Sequence, residues 1–344
     1  MVSIYDYSLK DLEEYFLQKG LKPYKAKQLF KWLYEKRIAD FDLMSDISKK
    51  LIVDLKNDFS CALLKIKTSQ KSKDGTIKFL FELNDGAYIE SVLMKFDYGY
   101  SACISSQVGC NMGCSFCASG LLKKQRDLKV SEIVLQVLML QMELDKQGKR
   151  LGNIVVMGTG EPFDNYDNLM KALGIINDPF ALAIGQRHIS VSTCGLVPKI
   201  RQFAQENVQY NLAISLHGSN DELRSKLMPI NKKYHLDELI DAVRFYLENT
   251  NRRVTFEYLL LAGINDSETN AKELKELLKG LNAYINLIPY NEVEENNYQT
   301  SSAENALRFY DLLKKENVAV TLRQKRGDDI DAACGQLRAK DMSC

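Results

Sequence analysis

Histidine is scarce in this chain, and long apolar runs are missing. Among 344 residues there are three histidines: His188, His217 and His235. No two C-x2-C knuckles occur as a pair, so a structural zinc site lacks its usual four-ligand frame. No apolar stretch reaches eighteen residues, so a membrane-spanning helix is not expected. The start, MVSIYDYSLKDLEEYF, has no apolar segment behind a basic one and does not read as a signal peptide. A cytoplasmic protein is the expectation. The net charge is only +1, which excludes a uniformly basic nucleic-acid coat but not a local patch. Low-complexity segments and short repeats are also lacking.

What is present begins with eight cysteines: Cys61, Cys103, Cys110, Cys114, Cys117, Cys194, Cys334 and Cys344. In a cytoplasmic chain, clustered thiols serve metals or catalysis more often than structural disulfides. One basic patch stands out. Lys22, Lys25, Lys27, Lys31, Lys36 and Arg37 face the single acid Glu35, while Leu29, Phe30, Leu33 and Tyr34 recur at helical spacing. Charge alone leaves open a solvated helix face and a phosphate-contacting helix.

The pattern along the chain divides it. Residues 1–60 read as short amphipathic helices. Residues 61–97 alternate like a small antiparallel meander with turns at KDG and NDG. A linker is expected near Asp97–Ser101. From about 98 to 330, apolar strands alternate with helices. The strand candidates are 102–106, 153–158, 188–193, 210–217, 253–261, 284–290 and 318–324. Repeated βα units predict an α/β fold with a parallel sheet, and about six units predict less than a closed eight-fold barrel. Residues 331–344 form a tail.

Cys110, Cys114 and Cys117 stand as C-x3-C-x2-C just after a strand, beside Gly113 and Gly120. Three thiolates on one loop suit an iron–sulfur cluster with one iron left open for a ligand, since four cysteines would otherwise close a 4Fe-4S site. Gly158, Gly160 and Glu161 follow the next strand; alone they read equally as an ordinary βα turn. Ser192, Ser215, Leu216, His217 and Asn291 fall at or just after the ends of later strands. In a parallel barrel those ends form the active-site mouth.

C-x3-C-x-aromatic-C, with Phe116 as the aromatic, resembles the cluster motif of the radical S-adenosyl-L-methionine (SAM) superfamily. The resemblance implies a partial (β/α)6 barrel and a 4Fe-4S cluster on Cys110, Cys114 and Cys117. It also implies SAM held at the open iron and cleaved by one electron to a 5′-deoxyadenosyl radical. Phe116 is then expected beside the adenine. Gly160, Glu161, Ser192, Ser215, Leu216, His217 and Asn291 are expected around the rest of SAM.

Longer strings narrow this. CISSQVGCNMGCSFCASG, MGTGEPFDN, SLHG, RSKLMPIN, RRVTFEY, NLIPYN and DIDAACGQL are similar to the RlmN/Cfr family of RNA adenosine methyltransferases, over about residues 5 to 338. The adenine carbon attacked in that family is electron-poor and will not take a methyl cation, so a radical route is needed. The resemblance implies two SAM molecules per turnover. One methylates Cys334. The radical from the second activates that methyl group, which adds to the base. Glu90 takes the ring proton, and Cys103 attacks the sulfur of Cys334, forming a disulfide and releasing RNA.

Pro162 and Val108 look like the C2-methylating branch; the alternative is C8 methylation of the Cfr type. Thr159 departs from the residues more usual between the two glycines. The family implies 23S rRNA and a subset of tRNAs as substrates, and a flavodoxin or ferredoxin as electron donor. The chain is expected to be a monomer. It also makes residues 1–60 an RNA-binding accessory domain, with Lys25, Lys27, Lys31 and Arg37 on phosphate and Lys325 and Arg326 as further anchors. Two other classes stay in view: a radical SAM activating enzyme for a protein partner, which needs neither Cys103 nor Cys334, and a non-enzymatic metal- or RNA-binding module. Cys61, Cys194 and Cys344 match no functional position, and Cys194 is expected to be a packing residue.

Overall fold

Ser8 starts the first long helix by exchanging bonds with Asp11, a reciprocal cap that satisfies two otherwise orphaned N–H groups. This computed structural model describes residues 1–121, 123–292, 296–324, 327 and 329–330. The N-terminal region comprises β1 (Val2–Ser3), α1 (Leu9–Gln18), α2 (Tyr24–Phe30), α3 (Lys49–Asp58) and β2 (Phe59–Ser60), with β1 and β2 paired in parallel. α2 runs on into a π-helical turn, Lys31–Glu35. Ala26, Leu29, Phe30, Trp32, Leu33 and Tyr34 are buried along this segment, while Lys22, Lys27, Lys31 and Lys36 are exposed. The predicted amphipathic division therefore holds.

The meander consists of β3 (Lys65–Lys71), β4 (Ile77–Glu82), β5 (Tyr88–Phe96) and β6 (Gly99–Cys103), each antiparallel to the next. The expected linker is only a tight turn between β5 and β6, with Gly99 at φ +126°. β6 belongs to both halves, because its other edge pairs in parallel with a later strand. The meander and the βα region therefore share one ten-stranded sheet.

The cysteine loop follows β6. It holds β7 (Gln107–Val108) and the short α4 (Ala118–Leu121); β8 (Arg126–Asp127) pairs back onto β7. Next come α5 (Val130–Asp145), β9 (Leu151–Val156), α6 (Tyr166–Asn177), β10 (Ile189–Thr193), α7 (Val197–Gln205) and β11 (Asn211–Ser215). The chain continues through α8 (Asp221–Leu227), α9 (Leu236–Thr250), β12 (Val254–Leu260), α10 (Glu268–Leu277), β13 (Ala283–Pro289), α11 (Ala303–Lys315) and β14 (Val320–Leu322). Among the described residues, β6 and β9 to β14 are parallel neighbours in chain order, joined by six helical crossovers. This is the expected partial barrel.

Strand register explains where the site can form. Residues paired across neighbouring strands point to the same face, and the face alternates along each strand. Ile154, Val191, Leu212, Ile214, Val254 and Phe256 lie on one face and are fully buried. The other face carries Ser190, Ser192, Ser215, Glu257 and Asn286. The sequence reading took these strands as near-continuously apolar. They alternate instead, because one face packs the helices and the other lines a polar interior.

One apolar core runs from Ile4 and Tyr5 through the barrel to Leu313. The N-terminal helices dock on it through Asp6, which accepts the Ser131 N–H at 2.7 Å, and through the Asp11–Lys171 and Arg37–Asp145 ion pairs.

Candidate functional site

The mouth of the barrel is built from strand ends. Cys103 closes β6 and is buried; its partners across the sheet are Val92 on one side and Val155 on the other. Val92 in turn pairs with Lys78, and Glu90 lies two residues along the same strand. Cys103, Glu90 and Lys78 therefore share the polar face. Glu90 is 4% exposed and Lys78 0%, and Lys78 Nζ meets Glu90 Oε2 at 3.1 Å. A buried ammonium beside this carboxylate fixes its place. Sequence reading missed Lys78, although a lysine inside the apolar string TIKFLFE was a usable signal.

After Cys103 the strand stops earlier than expected, because Ser105 and Ser106 turn their bonds elsewhere. Ser105 Oγ donates to the Glu90 carbonyl at 2.7 Å and accepts from the Thr159 N–H at 3.0 Å. The Ser105 N–H donates to Gln136 Oε1 at 2.8 Å. Gln107 receives the Glu161 N–H and donates to Asp127 and Asp164. The cysteine loop and the Gly-Thr-Gly-Glu loop are thereby stitched together. Their approach explains both glycines. A Cβ on Gly158 would sit 2.7 Å from the Ile104 carbonyl oxygen. One on Gly160, at φ +112°, would sit 2.6 Å from Gln107 Cβ.

Glu161 is buried, which pushes its carboxyl up, and N–H bonds oppose that shift. Its oxygens accept from Phe163 at 3.0 Å and Cys194 at 2.8 Å. In this structure the carboxylate props the loop. Cys194 is a buried packing residue, as expected, and its backbone does the work.

Phe116 and His217 meet edge to face with centroids 4.8 Å apart, and Tyr290 Oη donates to the Phe116 carbonyl at 3.2 Å. His217 takes φ +55°, and its Nδ1 accepts the Leu259 N–H at 3.1 Å. Burial, helped by Arg224, pushes its pKa down to about 3, so the ring stays neutral. Ser192 donates to the Val156 carbonyl at 3.2 Å, and Ser215 ends β11. Leu216 is fully buried and bonded to Glu257 O. Asn291 follows β13 at the same edge, half-buried. The predicted SAM-contacting residues thus lie along one rim.

Cys110, Cys114 and Cys117 are half-buried on the loop above this rim. Burial pushes the Cys110 thiol up to about 11 and the Cys114 thiol further, and the charge of Cys117 adds to both shifts. Among the described residues no set of three such side chains is already closed to metal-ligand geometry. The donor set nevertheless fits a cluster with one open iron: three thiols share one loop and raise one another's pKa, and the buried cation Arg224 acts on Cys114 in the opposite sense. Arg224 is 1% exposed, and its Nε has no partner among the described residues.

Glu257 was also missed. It is 6% exposed on the polar face, and burial raises its pKa to about 6 against the Asn286 bond of 2.8 Å and the charge of Arg323. Cys334 lies outside the described residues, as do Lys325, Arg326, Cys344 and the rest of the tail. The last described segment before it is anchored to the β3–β4 turn. Asp329 accepts from Ser72 Oγ at 2.5 Å and from the Lys73 N–H at 3.1 Å, and the Gly327 N–H donates to Asp74 at 2.9 Å. That turn precedes Lys78 on the strand next to Glu90.

On the far side of the barrel, Lys27, Lys31, Arg37, Lys149 and Arg150 line a cavity of about 680 Å³, together with the exposed ring of Phe180. Lys27 lies over that ring at 5.0 Å.

Comparison with known proteins agrees with this geometry. Residues 104–278 match the radical SAM superfamily, and residues 2–60 match the ribosomal RNA large subunit methyltransferase N-terminal domain. Two curated relatives bear the name "probable dual-specificity RNA methyltransferase RlmN". The one from Spiroplasma citri is 53% identical over 99% of this chain and 98% of its own. The one from Acholeplasma laidlawii is 51% identical over 98% of this chain and 99% of its own. A crystal structure of a radical SAM methyltransferase from Sphaerobacter thermophilus is 43% identical. It superposes with a TM-score of 0.94 over 98% of this chain and 99% of its own.

Proposed function

The chain belongs to the RlmN family of radical SAM RNA methyltransferases, and from that premise we propose that it methylates C2 of an adenine in RNA through a methyl group carried on Cys334. The family uses a 4Fe-4S cluster and SAM. When bound, they supply one-electron cleavage of SAM and hence a radical able to activate an unreactive methyl C–H bond.

The residues of this chain divide the remaining work. Cys110, Cys114 and Cys117 hold the cluster. Phe116, Gly160, Glu161, Ser192, Ser215, Leu216, His217 and Asn291 form the SAM cradle. The neutral His217 ring and the Phe116 edge offer an apolar wall suited to adenine. Glu90 takes the C2 proton from the RNA adduct, with Lys78 fixing its carboxylate. The Cys103 thiolate then attacks the Cys334 sulfur: an S–S bond forms, the C–S bond breaks with its electron pair passing to the CH2 carbon and the ring, a proton completes the methyl group, and RNA leaves. The observation that carries this reading is the shared polar face of Cys103, Glu90 and Lys78, directly beside the cysteine loop.

Ribosomal RNA is the substrate that the matched N-terminal domain supports; tRNA is the second. The adenine has to leave its stack to meet the interior. We assign residues 1–60 to RNA holding, 61–97 to the Glu90-bearing meander, 98–330 to the barrel and 331–344 to the methyl-carrying tail. Lys25, Lys27 and Lys31 contact phosphate. Arg37 is tied to Asp145 and serves docking of the helices as well. A monomer in the cytoplasm, reduced by a flavodoxin or ferredoxin, completes the reading.

The test is Cys103→Ala with RNA and SAM under reducing, oxygen-free conditions. A protein–RNA adduct stable to denaturing electrophoresis is expected, because nothing resolves the bond to Cys334. Free methylated RNA in normal yield would overturn the role of Cys103.

A further inference from the structure

Arg224 is the largest fully buried side chain in the described protein. Its Nη1 donates to Asn231 Oδ1 at 2.7 Å. Nη2 donates to the carbonyls of Cys194 at 2.6 Å and Ser215 at 3.4 Å. All these partners are neutral, and Nε has none among the described residues. The carboxylate of Asp221 acts on it only at longer range, through Asn231, whose Nδ2 donates to Asp221 Oδ1 at 2.7 Å. A buried guanidinium without a direct ion pair is costly, so buried charges are normally paired or set against an ion. The sequence nevertheless makes room for this one. A Cβ on Gly218 would fall 2.7 Å from Arg224 backbone and Cβ atoms, and one on Gly195 would fall 3.1 Å from Nη2.

Its location points to a second anion closer than Asp221. Arg224 sits on α8, between Leu223 and Leu227. Leu227 and Met228 belong to the apolar cluster against which both Leu223 and Cys114 pack. The Ser115 N–H donates to the Leu227 carbonyl at 2.9 Å, so the cysteine loop is bonded to the end of the same helix. Nη2 also reaches the carbonyl of Cys194, which belongs to the same apolar cluster. A low-dielectric wall therefore separates this cation from the three thiols. Three thiolates around a 4Fe-4S cluster carry net negative charge, and adding an electron increases it.

We propose that Arg224 is the built-in counter-cation of the cysteine-bound cluster, stabilising its thiolate ligands and favouring its one-electron reduction. This rests on the reading that Cys110, Cys114 and Cys117 hold the cluster. The residue acts through the cluster and the loop, so it is a positioning and tuning residue rather than a catalytic one. No change in the order of chemical steps is implied.

The experiment is a redox titration followed by electron paramagnetic resonance, with iron content measured, on anaerobically reconstituted full-length protein. Arg224→Gln removes the charge and keeps donors; Arg224→Lys keeps the charge and changes the donors. The expected result is a lower midpoint and faster iron loss to a chelator in Arg224→Gln, with Arg224→Lys near the parent in both. A loaded Arg224→Gln cluster with the parent's midpoint would overturn the inference. So would a fall in Arg224→Lys as large as in Arg224→Gln. A marked fall in Arg224→Lys alone overturns it even if the Gln chain does not fold. A parent chain that takes up no four-iron cluster would instead sink the underlying site assignment.

Discussion

Replacing Lys78 with methionine tests whether Glu90 is held by charge. The Lys78–Glu90 pair has an N–O distance of 3.1 Å, with the two side chains 0% and 4% exposed. At an effective dielectric of about 20, two unit charges at that separation attract by roughly 5 kcal/mol. Desolvation of both ions offsets most of this, so the net value of the pair is small. Removing only one partner is different, because the other charge stays buried; such changes cost about 3–5 kcal/mol. Lys78→Met is therefore expected to destabilise the protein by about 3–5 kcal/mol, and Glu90→Gln by a similar amount. The double variant should lose much less than the sum, with a coupling of about 2 kcal/mol or more. Urea unfolding of the metal-free chain at neutral pH measures all four corners of the cycle. In the loaded enzyme, Lys78→Met should still cleave SAM while its yield of methylated RNA falls. A single-variant cost under about 1 kcal/mol, or strict additivity, would refute the reasoning.

Three further outcomes follow from the same geometry. Burial lifts the Glu257 pKa to about 6 from 4.5, so the native state favours its neutral form. Its proton-linked stability is fully present below about pH 4.5 and is lost as pH rises through 6, roughly 2 kcal/mol in all. Glu257→Gln should accordingly be more stable than the parent at pH 7.5, and the gain should vanish near pH 4; a pH-independent difference contradicts this. Gly158→Ala drives a Cβ to 2.7 Å from the Ile104 carbonyl oxygen. It should cost about 1–3 kcal/mol and weaken SAM binding, as calorimetry would report. Lys27→Gln with Lys31→Gln should lower RNA affinity and flatten its salt dependence by about 0.7 log units per lost phosphate contact, while RNA-free SAM cleavage stays unchanged. An unaltered salt slope would return these lysines to a merely solvated face.

The strands were legible as apolar, β-branched runs set between helical stretches. ISVST, NLAIS and VTFEYLL are such runs, and the structure places strands there within a few residues of the expected bounds, although their alternation of faces was not read. α8 escaped because DELRSKL is short and polar; it is held by Asn220 capping Leu223 and by the buried Arg224, which local pattern does not report. The supposed linker at 97–101 was misread because a glycine turn inside a sheet looks like a break between domains. Likewise ACISS stops at Cys103, since Ser105 and Ser106 give their hydrogen bonds to the neighbouring Gly-Thr-Gly-Glu loop and to Gln136.

Within the candidate site, the legible features are local: the loop carrying the three clustered cysteines and the two glycines where backbones approach closely. The site was unreadable where a charge works at long range through the fold. Lys78 and Glu257 each interrupt an apolar run, and Arg224 sits on a short polar helix. Their partners lie on other strands and loops, so only the fold shows what they face.

The central claim is tested most directly by mass spectrometry of RNA after reaction with anaerobically reconstituted enzyme and SAM carrying a deuterated methyl group. The account predicts 2-methyladenosine that retains part of the label, abolished by Cys334→Ala. 8-Methyladenosine would keep the route and contradict the ring position. SAM cleavage with unmethylated RNA, or methylation that survives loss of Cys334, would contradict the account itself.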